Sequence, residues 1–283
     1  MGAFNDLLMS GATGLVEIGC NIWNSCAAVA AALLGKTPAG LSPDAYQFVV
    51  VRLYPIFLAI GTALLNLFFV IGYLRSSIDI RQSLTLENSL MLFVRLVLAN
   101  ALVVSILTWI PKLFSWAADL VARIAGLTGN ASATLGSLKA DQILGDASAT
   151  GLGGISALIL ALLFIALVSV SGILICLTVF KRIFNLYLII PLAPIALSTI
   201  AGGQGINHTA YAYIRSFLAI CFECVLIAIV LAIGGYFIGD VDLFQGKYAD
   251  GPTAELVEAM LSVTMVSAAI RGADSFIRRV MGL

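Results

Sequence analysis

Glu223 and Arg95 are the residues best placed to do chemistry in this chain, because each stands inside a long apolar stretch. An ionisable side chain at the centre of a bilayer costs at least ~2.5 kcal/mol, so it is kept for pairing, proton movement or a polar path. Counted along the expected spans, Glu223 stands about nine residues into the last one and Arg95 about six into the second. At ~1.5 Å per residue those depths differ by only a few ångströms, within reach of an arginine. The two are expected to pair, within one chain or across a subunit boundary. The alternative is an Arg95 that snorkels to the headgroups and a protonated Glu223. Arg215, at the start of the last span, is a third candidate for an intramembrane polar contact.

Other chemistry is sparse. His208 is the single histidine, so neither a histidine-rich metal site nor a hydrolase triad can be built within one chain. Cys221-Phe222-Glu223-Cys224 has CxxC spacing but lies on an apolar helix without a second cysteine pair, and is read as ordinary packing. The cluster Gly202-Gly203-Gln204-Gly205 lacks the Lys-Ser/Thr that a nucleotide phosphate site needs. The five cysteines make an odd set, which argues against a disulfide framework. No enzyme activity, metal or cofactor is expected.

The elements that must position these residues are membrane spans. Residues 147–180 and 183–214 contain no Asp, Glu, Lys or Arg, and only Lys181-Arg182 separates them. Each run exceeds the ~20 residues that cross a bilayer core of ~30 Å. The chain is 61% hydrophobic and 11% charged, against the roughly 25% charged of a soluble domain. Fifteen Lys/Arg balance fifteen Asp/Glu, so nothing global draws it to nucleic acid. The expected fold is all-α: a polytopic membrane bundle of five spans at 54–74, 89–110, 155–180, 183–200 and 214–238. These make a transmembrane domain over 46–239, with Tyr54 and Tyr73 as interfacial aromatics of the first span. A sixth span at 256–270 is rejected as too short, and because it contains Glu258 and would export three arginines.

Basic residues set the expected orientation. With the N-terminus outside, Arg75, Arg81, Lys181, Arg182, Lys247, Arg271, Arg278 and Arg279 fall in the cytoplasm. Lys36, Arg52, Lys112, Arg123 and Lys139 fall outside, a bias that favours an outer N-terminus and an inner C-terminus. No basic residue precedes Lys36, so the start does not read as a cleavable secretory signal, nor does Asp6 suit a myristoylation motif.

Both ends read as amphipathic helices. In the N-terminal segment, 1–45, polar Asp6, Ser10, Thr13, Glu17, Asn21 and Asn24 oppose Phe4, Leu8, Leu15, Ile18, Ile22 and Val29 at helical period. The C-terminal segment, 240–283, carries Glu255 and Glu258 early and Arg278-Arg279 late, an order that suits the helix dipole. Residues 114–127 suggest a second interfacial helix, and 126–154, rich in Gly, Ala, Ser and Thr, a flexible outer loop. Pro191 and Pro194 either kink the fourth span or break it into a re-entrant element facing an oligomer axis. Ala228, Ala232, Gly235 and Gly239 form a small-residue row suited to close helix packing, within the chain or between subunits.

The order of features over 181–238 resembles TrbL-type polytopic subunits of type IV secretion and conjugation machines, particularly the branch on mobile elements of Gram-positive bacteria. The resemblance is carried by Arg182 in KRIFNLYLIIPLAPIALSTIAGG, by Pro-Leu-Ala-Pro-Ile-Ala at 191–196, and by Tyr213-Ile214-Arg215-Ser216-Phe217. The stretch after the last span is shorter than in family members with extra soluble domains. The resemblance implies a non-enzymatic channel or scaffold subunit in the bacterial cytoplasmic membrane, forming a homo-oligomeric ring. Its partners would be membrane lipids, secretion ATPases, the stalk or pilus base, and transiently a relaxase with single-stranded DNA or a protein effector. The competing reading is a small-solute transporter or channel centred on Glu223 and the fourth span. The sequons Asn130-Ala131-Ser132 and Asn207-His208-Thr209 fall on the expected outer side.

Overall fold

The computed structural model describes residues 2–78, 86–127, 134–135, 153–203, 205–240 and 252–283. Most of the expected outer loop, Arg81, Lys139, Lys247, Gln204 and the sequon at 130–132 lie outside them. No strand occurs among the described residues. The helices are α1 (Gly2–Leu34), α2 (Pro38–Leu41), α3 (Pro43–Gln47), α4 (Tyr54–Ile78), α5 (Leu86–Leu127), α6 (Gly153–Ser198), α7 (His208–Asp240) and α8 (Pro252–Val280). A π-helical turn, Phe48–Leu53, joins α3 to α4, and a 3-10 turn, Thr199–Gly202, extends α6. Six helical stretches are long and apolar enough to cross a membrane: Asp6–Leu34, Pro43–Arg75, Leu90–Leu127, Ile155–Gly202, His208–Ile238 and Leu256–Val280. The chain is a multi-pass membrane protein.

Two expectations about span boundaries are corrected. Residues 155–180 and 183–200 form one helix of 46 residues, because Lys and Arg are good helix formers and nothing at 181–182 stops the backbone. Pro191 and Pro194 lie inside that helix, which continues to Ser198, so neither breaks it into a re-entrant element. Residues 89–110 and 114–127 likewise merge in α5, which runs through Pro111. In lipid one lost hydrogen bond does not end a helix, since no water competes for the remainder. The C-terminal stretch Leu256–Val280 is 25 residues, long enough to cross, whereas the segment rejected as a span had fifteen.

The chain packs as two compact units, each drawn from several helices. In the first unit (1–35, 120–180, 225–273), α1 buries Ala12, Val16, Cys20, Trp23, Ala27, Ala30 and Leu34, spaced three and four apart. This corrects the expected apolar face: Phe4, Ile18 and Val29 point outward. Lipid accepts bulky apolar groups at no cost, so the buried stripe is the one whose small residues permit close approach. A Cβ on Gly19 would stand 3.0 Å from the Phe164 ring, and one on Gly172 3.2 Å from the Cys26 sulfur. The Asn24 carboxamide pairs with the backbone of Leu135, donating from Nδ2 at 3.1 Å and accepting at Oδ1 at 2.9 Å. From α8, the Ser267 hydroxyl donates to the Ser171 carbonyl at 3.4 Å.

The second unit (36–119, 181–224, 274–283) holds two apolar clusters. One contains Val49, Ile110, Phe114, Leu186, Ile190, Phe217, Ile220 and Cys221; the other contains Leu65, Ala99, Val103, Leu197, Ala201 and Ala210. Bulky Ile56, Ile60, Leu67 and Val70 of α4 and Phe93, Val97 and Val104 of α5 face outward, as a lipid-facing surface requires. Tyr54, expected at the interface, is instead buried, and its hydroxyl donates to the Val103 carbonyl at 3.1 Å. An unmet phenol in lipid costs several kcal/mol, so the bond favours burial once a carbonyl is in reach.

Candidate functional site

The second unit concentrates buried charge. Arg182, from the middle of α6, is only 5% exposed, and its Nε donates to the Ile220 carbonyl of α7 at 3.3 Å. Less than one helical turn further along α7, Glu223 is 4% exposed. The charges that act on Glu223 are Asp274 and Arg278 from the end of α8, with Arg182 and Lys181 from α6. Asp274 and Arg278 are themselves an i,i+4 ion pair with Nε and Oδ1 2.7 Å apart. Three helices thus bring three cationic and two acidic side chains together. A buried carboxylate without such neighbours would carry a desolvation cost of several kcal/mol. Removing one member leaves the others uncompensated, which makes the group a register pin for α6, α7 and α8 within this unit. Among the described residues Glu223 is the buried carboxylate of this unit.

Within the chain Arg95 is not among the charges acting on Glu223, so the two do not pair inside one subunit. Arg95 turns instead to the loop after α6: a Cβ on Gly203 would lie 2.9 Å from its Nη1. Along α6, the Arg182 level at which Glu223 lies and the Gly203 level that Arg95 reaches are about 20 residues apart, roughly 30 Å of helix, so the two residues differ in depth. Arg215 is exposed and approaches the last turn of α8, where a Cβ on Gly282 would be 3.8 Å from its Nη1. Gly282 has φ +70° and closes that helix, its N–H donating to the Arg279 carbonyl at 3.2 Å and that of Leu283 to Arg278 at 2.9 Å. A guanidinium there complements the negative end of the helix dipole.

Pro191 and Pro194 are buried in the second unit. Lacking an N–H, they leave the carbonyls of Tyr187 and Ile190 without their usual helical donors. Beside them the Tyr213 hydroxyl donates to the Ile189 carbonyl at 2.8 Å, and that of Tyr187 to the Pro38 carbonyl at 2.8 Å. The proline segment is also where α4 comes closest: a Cβ on Gly61 would lie 2.7 Å from the Pro194 carbonyl carbon. Gly61, one of two glycines in an apolar span, was the available signal for that contact, and sequence reasoning passed over it. It also passed over Asp274, whose i,i+4 spacing to Arg278 was legible.

In the first unit, Ala232 of the small-residue row is buried, while Ala228 and Gly235 are half-buried and Gly239 lies near the end of α7. The neighbouring face of α7 (Val230, Ile233, Gly234, Phe237) and α8 (Ser262, Met265, Val266, Ala269) lines an apolar groove of about 170 Å³. In the second unit, Cys221 and Cys224 are buried and form no disulfide, with the Cys224 thiol donating to the Cys221 carbonyl at 3.0 Å. Among the described residues no group of three or more His, Cys, Asp or Glu is placed to hold a metal. Compared with protein families, curated proteins and solved structures, the chain matches none.

Proposed function

We propose that this chain is a non-enzymatic channel or scaffold subunit of a bacterial type IV secretion or conjugation machine. It sits in the cytoplasmic membrane with its N-terminus outside and its C-terminus inside. It assembles as a homo-oligomeric ring that engages the secretion ATPases and the stalk or pilus base, and it helps pass a DNA–protein or protein substrate.

The observation that carries this reading is where the motifs of the TrbL resemblance meet. Arg182, the proline segment and Tyr213 to Phe217 all converge in the second unit. Arg182 bonds to Ile220, Tyr213 bonds to Ile189, Phe217 packs on Phe114 with ring centroids 5.6 Å apart, and Pro194 abuts Gly61. Arg182, Tyr213, Phe217 and Pro194 are committed to main-chain hydrogen bonding or close packing, which supports a load-carrying frame over a substrate pocket. One observation favours the transporter reading: Glu223 and Asp274 put two carboxylates into one interacting group, which a cation-coupled site would use.

Purification of the tagged chain from its native host in mild detergent, with sizing and mass spectrometry, separates the two. A ring-sized oligomer holding a secretion ATPase supports the machine subunit. A lone monomer or dimer whose proteoliposomes show saturable solute uptake, lost in Glu223→Gln, overturns it.

A further inference from the structure

Two arginines of the second unit close on one short turn. Arg75 ends the stretch of α4 that is long and apolar enough to cross a membrane, and Arg95 lies near the start of α5. A Cβ on Gly203 (φ +77°) would meet Arg95 Nη1 at 2.9 Å, and one on Gly205 (φ +94°) would meet Arg75 Nη1 at 3.6 Å. Both glycines adopt a positive φ that side chains disfavour, and the Arg95 guanidinium lies directly against the first of them. Among the described residues no ion pair or hydrogen bond ties either guanidinium. Like charges held near one turn repel, so the arrangement gains from an anion that neither helix supplies.

The place of this turn indicates the source of the anion. Arg75 ends one span, Gly202 ends another, and His208 opens a third. A Cβ on Gly72 would lie 3.1 Å from the Gly202 carbonyl oxygen, so α4 and α6 reach this level side by side. Span ends that meet at one level meet at the headgroups. The positive end of α7, which has no acidic residue in its first turn, adds to the field there.

We propose that Arg75 and Arg95, beside the backbone of Gly203 and Gly205, form a binding site for a phosphate group, supplied by the headgroup of an anionic phospholipid. Arginine suits this task because its planar fork makes paired, charge-assisted hydrogen bonds to phosphate oxygens. The site stands whether or not the chain serves a secretion machine.

Native mass spectrometry of the full chain in mild detergent tests it, with phosphatidylglycerol, phosphatidylcholine and inorganic phosphate as probes. Phosphatidylglycerol binds in preference to phosphatidylcholine, and Arg75→Gln and Arg95→Gln each weaken that binding about tenfold. Arg271→Gln, an exposed arginine of the first unit, leaves it unchanged. Millimolar phosphate that displaces the lipid and binds the wild type alone, again lost in both variants, assigns the same chemistry to a free anion. Equal phosphatidylglycerol affinity in wild type and both variants, with no phosphate binding, overturns the site. If the glutamine variants do not fold, a photoactivatable phosphatidylglycerol headgroup is cross-linked to the wild type. Adducts on peptides spanning Arg75, Arg95 or Gly205 uphold the site, and adducts confined elsewhere overturn it.

Discussion

Gly61→Ala is the most revealing single substitution, because it adds one carbon where there is no room for it. The new Cβ would stand 2.7 Å from both the carbonyl carbon and the Cβ of Pro194, and 2.8 Å from its oxygen. Comfortable carbon contacts need ~3.5–4.0 Å, so α4 and the proline segment must part by about 1 Å. Backbone atoms and a proline ring have no rotamer to swing away. Overpacking of this kind costs about 1–3 kcal/mol, and the better helix propensity of alanine returns at most about 1 kcal/mol. A net loss near 2 kcal/mol lowers the melting temperature by about 4–8 °C. Gly14 has nothing within 4 Å of its would-be Cβ, so Gly14→Ala keeps only the propensity gain and melts slightly higher. A thiol-reactive dye can follow the melt in detergent, since buried Cys20, Cys221 and Cys224 become reactive only on unfolding. If Gly61→Ala melts as high as Gly14→Ala, α4 does not pack on Pro194 and the account of the second unit is wrong.

Other expected outcomes address the charge cluster, the N-terminal helix and the sidedness of the span ends. Arg182→Gln destabilises by about 3 kcal/mol, because it uncovers a buried carboxylate, and a double-mutant cycle with Glu223→Gln shows at least about 1 kcal/mol of coupling. Additive effects in that cycle would sink the register-pin idea. Copper-phenanthroline oxidation forms a Cys26–Cys176 disulfide, since the Cys176 sulfur lies 3.8 Å from the Cys26 carbonyl oxygen and Cys176 interacts with the Cys26 thiol. Peptide mapping that finds no such bond removes α1 from its place in the first unit. Leu74→Cys and Asn207→Cys react with an impermeant maleimide from the same side of the membrane; labelling from opposite sides contradicts the Gly72–Gly202 contact.

Helices were legible in the sequence because apolar length alone demands them in lipid, and every expected span lies in one. What joins them was less legible. Lys181-Arg182 looked like a boundary between spans because charges were assigned to the membrane surface. Arg182 is instead buried and bonded to the Ile220 carbonyl, near enough for its charge to act on Glu223, which only a folded neighbour can offer. Merging those two spans also reverses a side assignment. Arg75 and Asn207 were expected on opposite faces, yet Arg75 approaches Gly205, two residues before Asn207. For Glu223 and Arg95, counting residues from assumed span ends misjudged depth: Arg95 reaches Gly203 at one end of α6, whereas Glu223 lies at the level of Arg182, well inside it. In α1 periodicity marked Phe4, Ile18 and Val29 as one apolar face but not which face packs, and the structure turns those residues outward while a stripe of small residues is buried.

The three buried or half-buried phenols of the second unit also bear on how the protein is made. Tyr187 and Tyr213 donate to carbonyls of Pro38 and Ile189, which leave the ribosome before they do. Tyr54 has the opposite order, since its acceptor on Val103 is 49 residues downstream. At roughly 5–20 residues per second, α4 waits about 2–10 s after synthesis of Tyr54 before its partner exists. During that interval a phenol and a nearly bare glycine face are presented to lipid or to the insertion machinery. The α4–α5 hairpin is therefore the step in biogenesis at which an insertase or chaperone has something specific to hold.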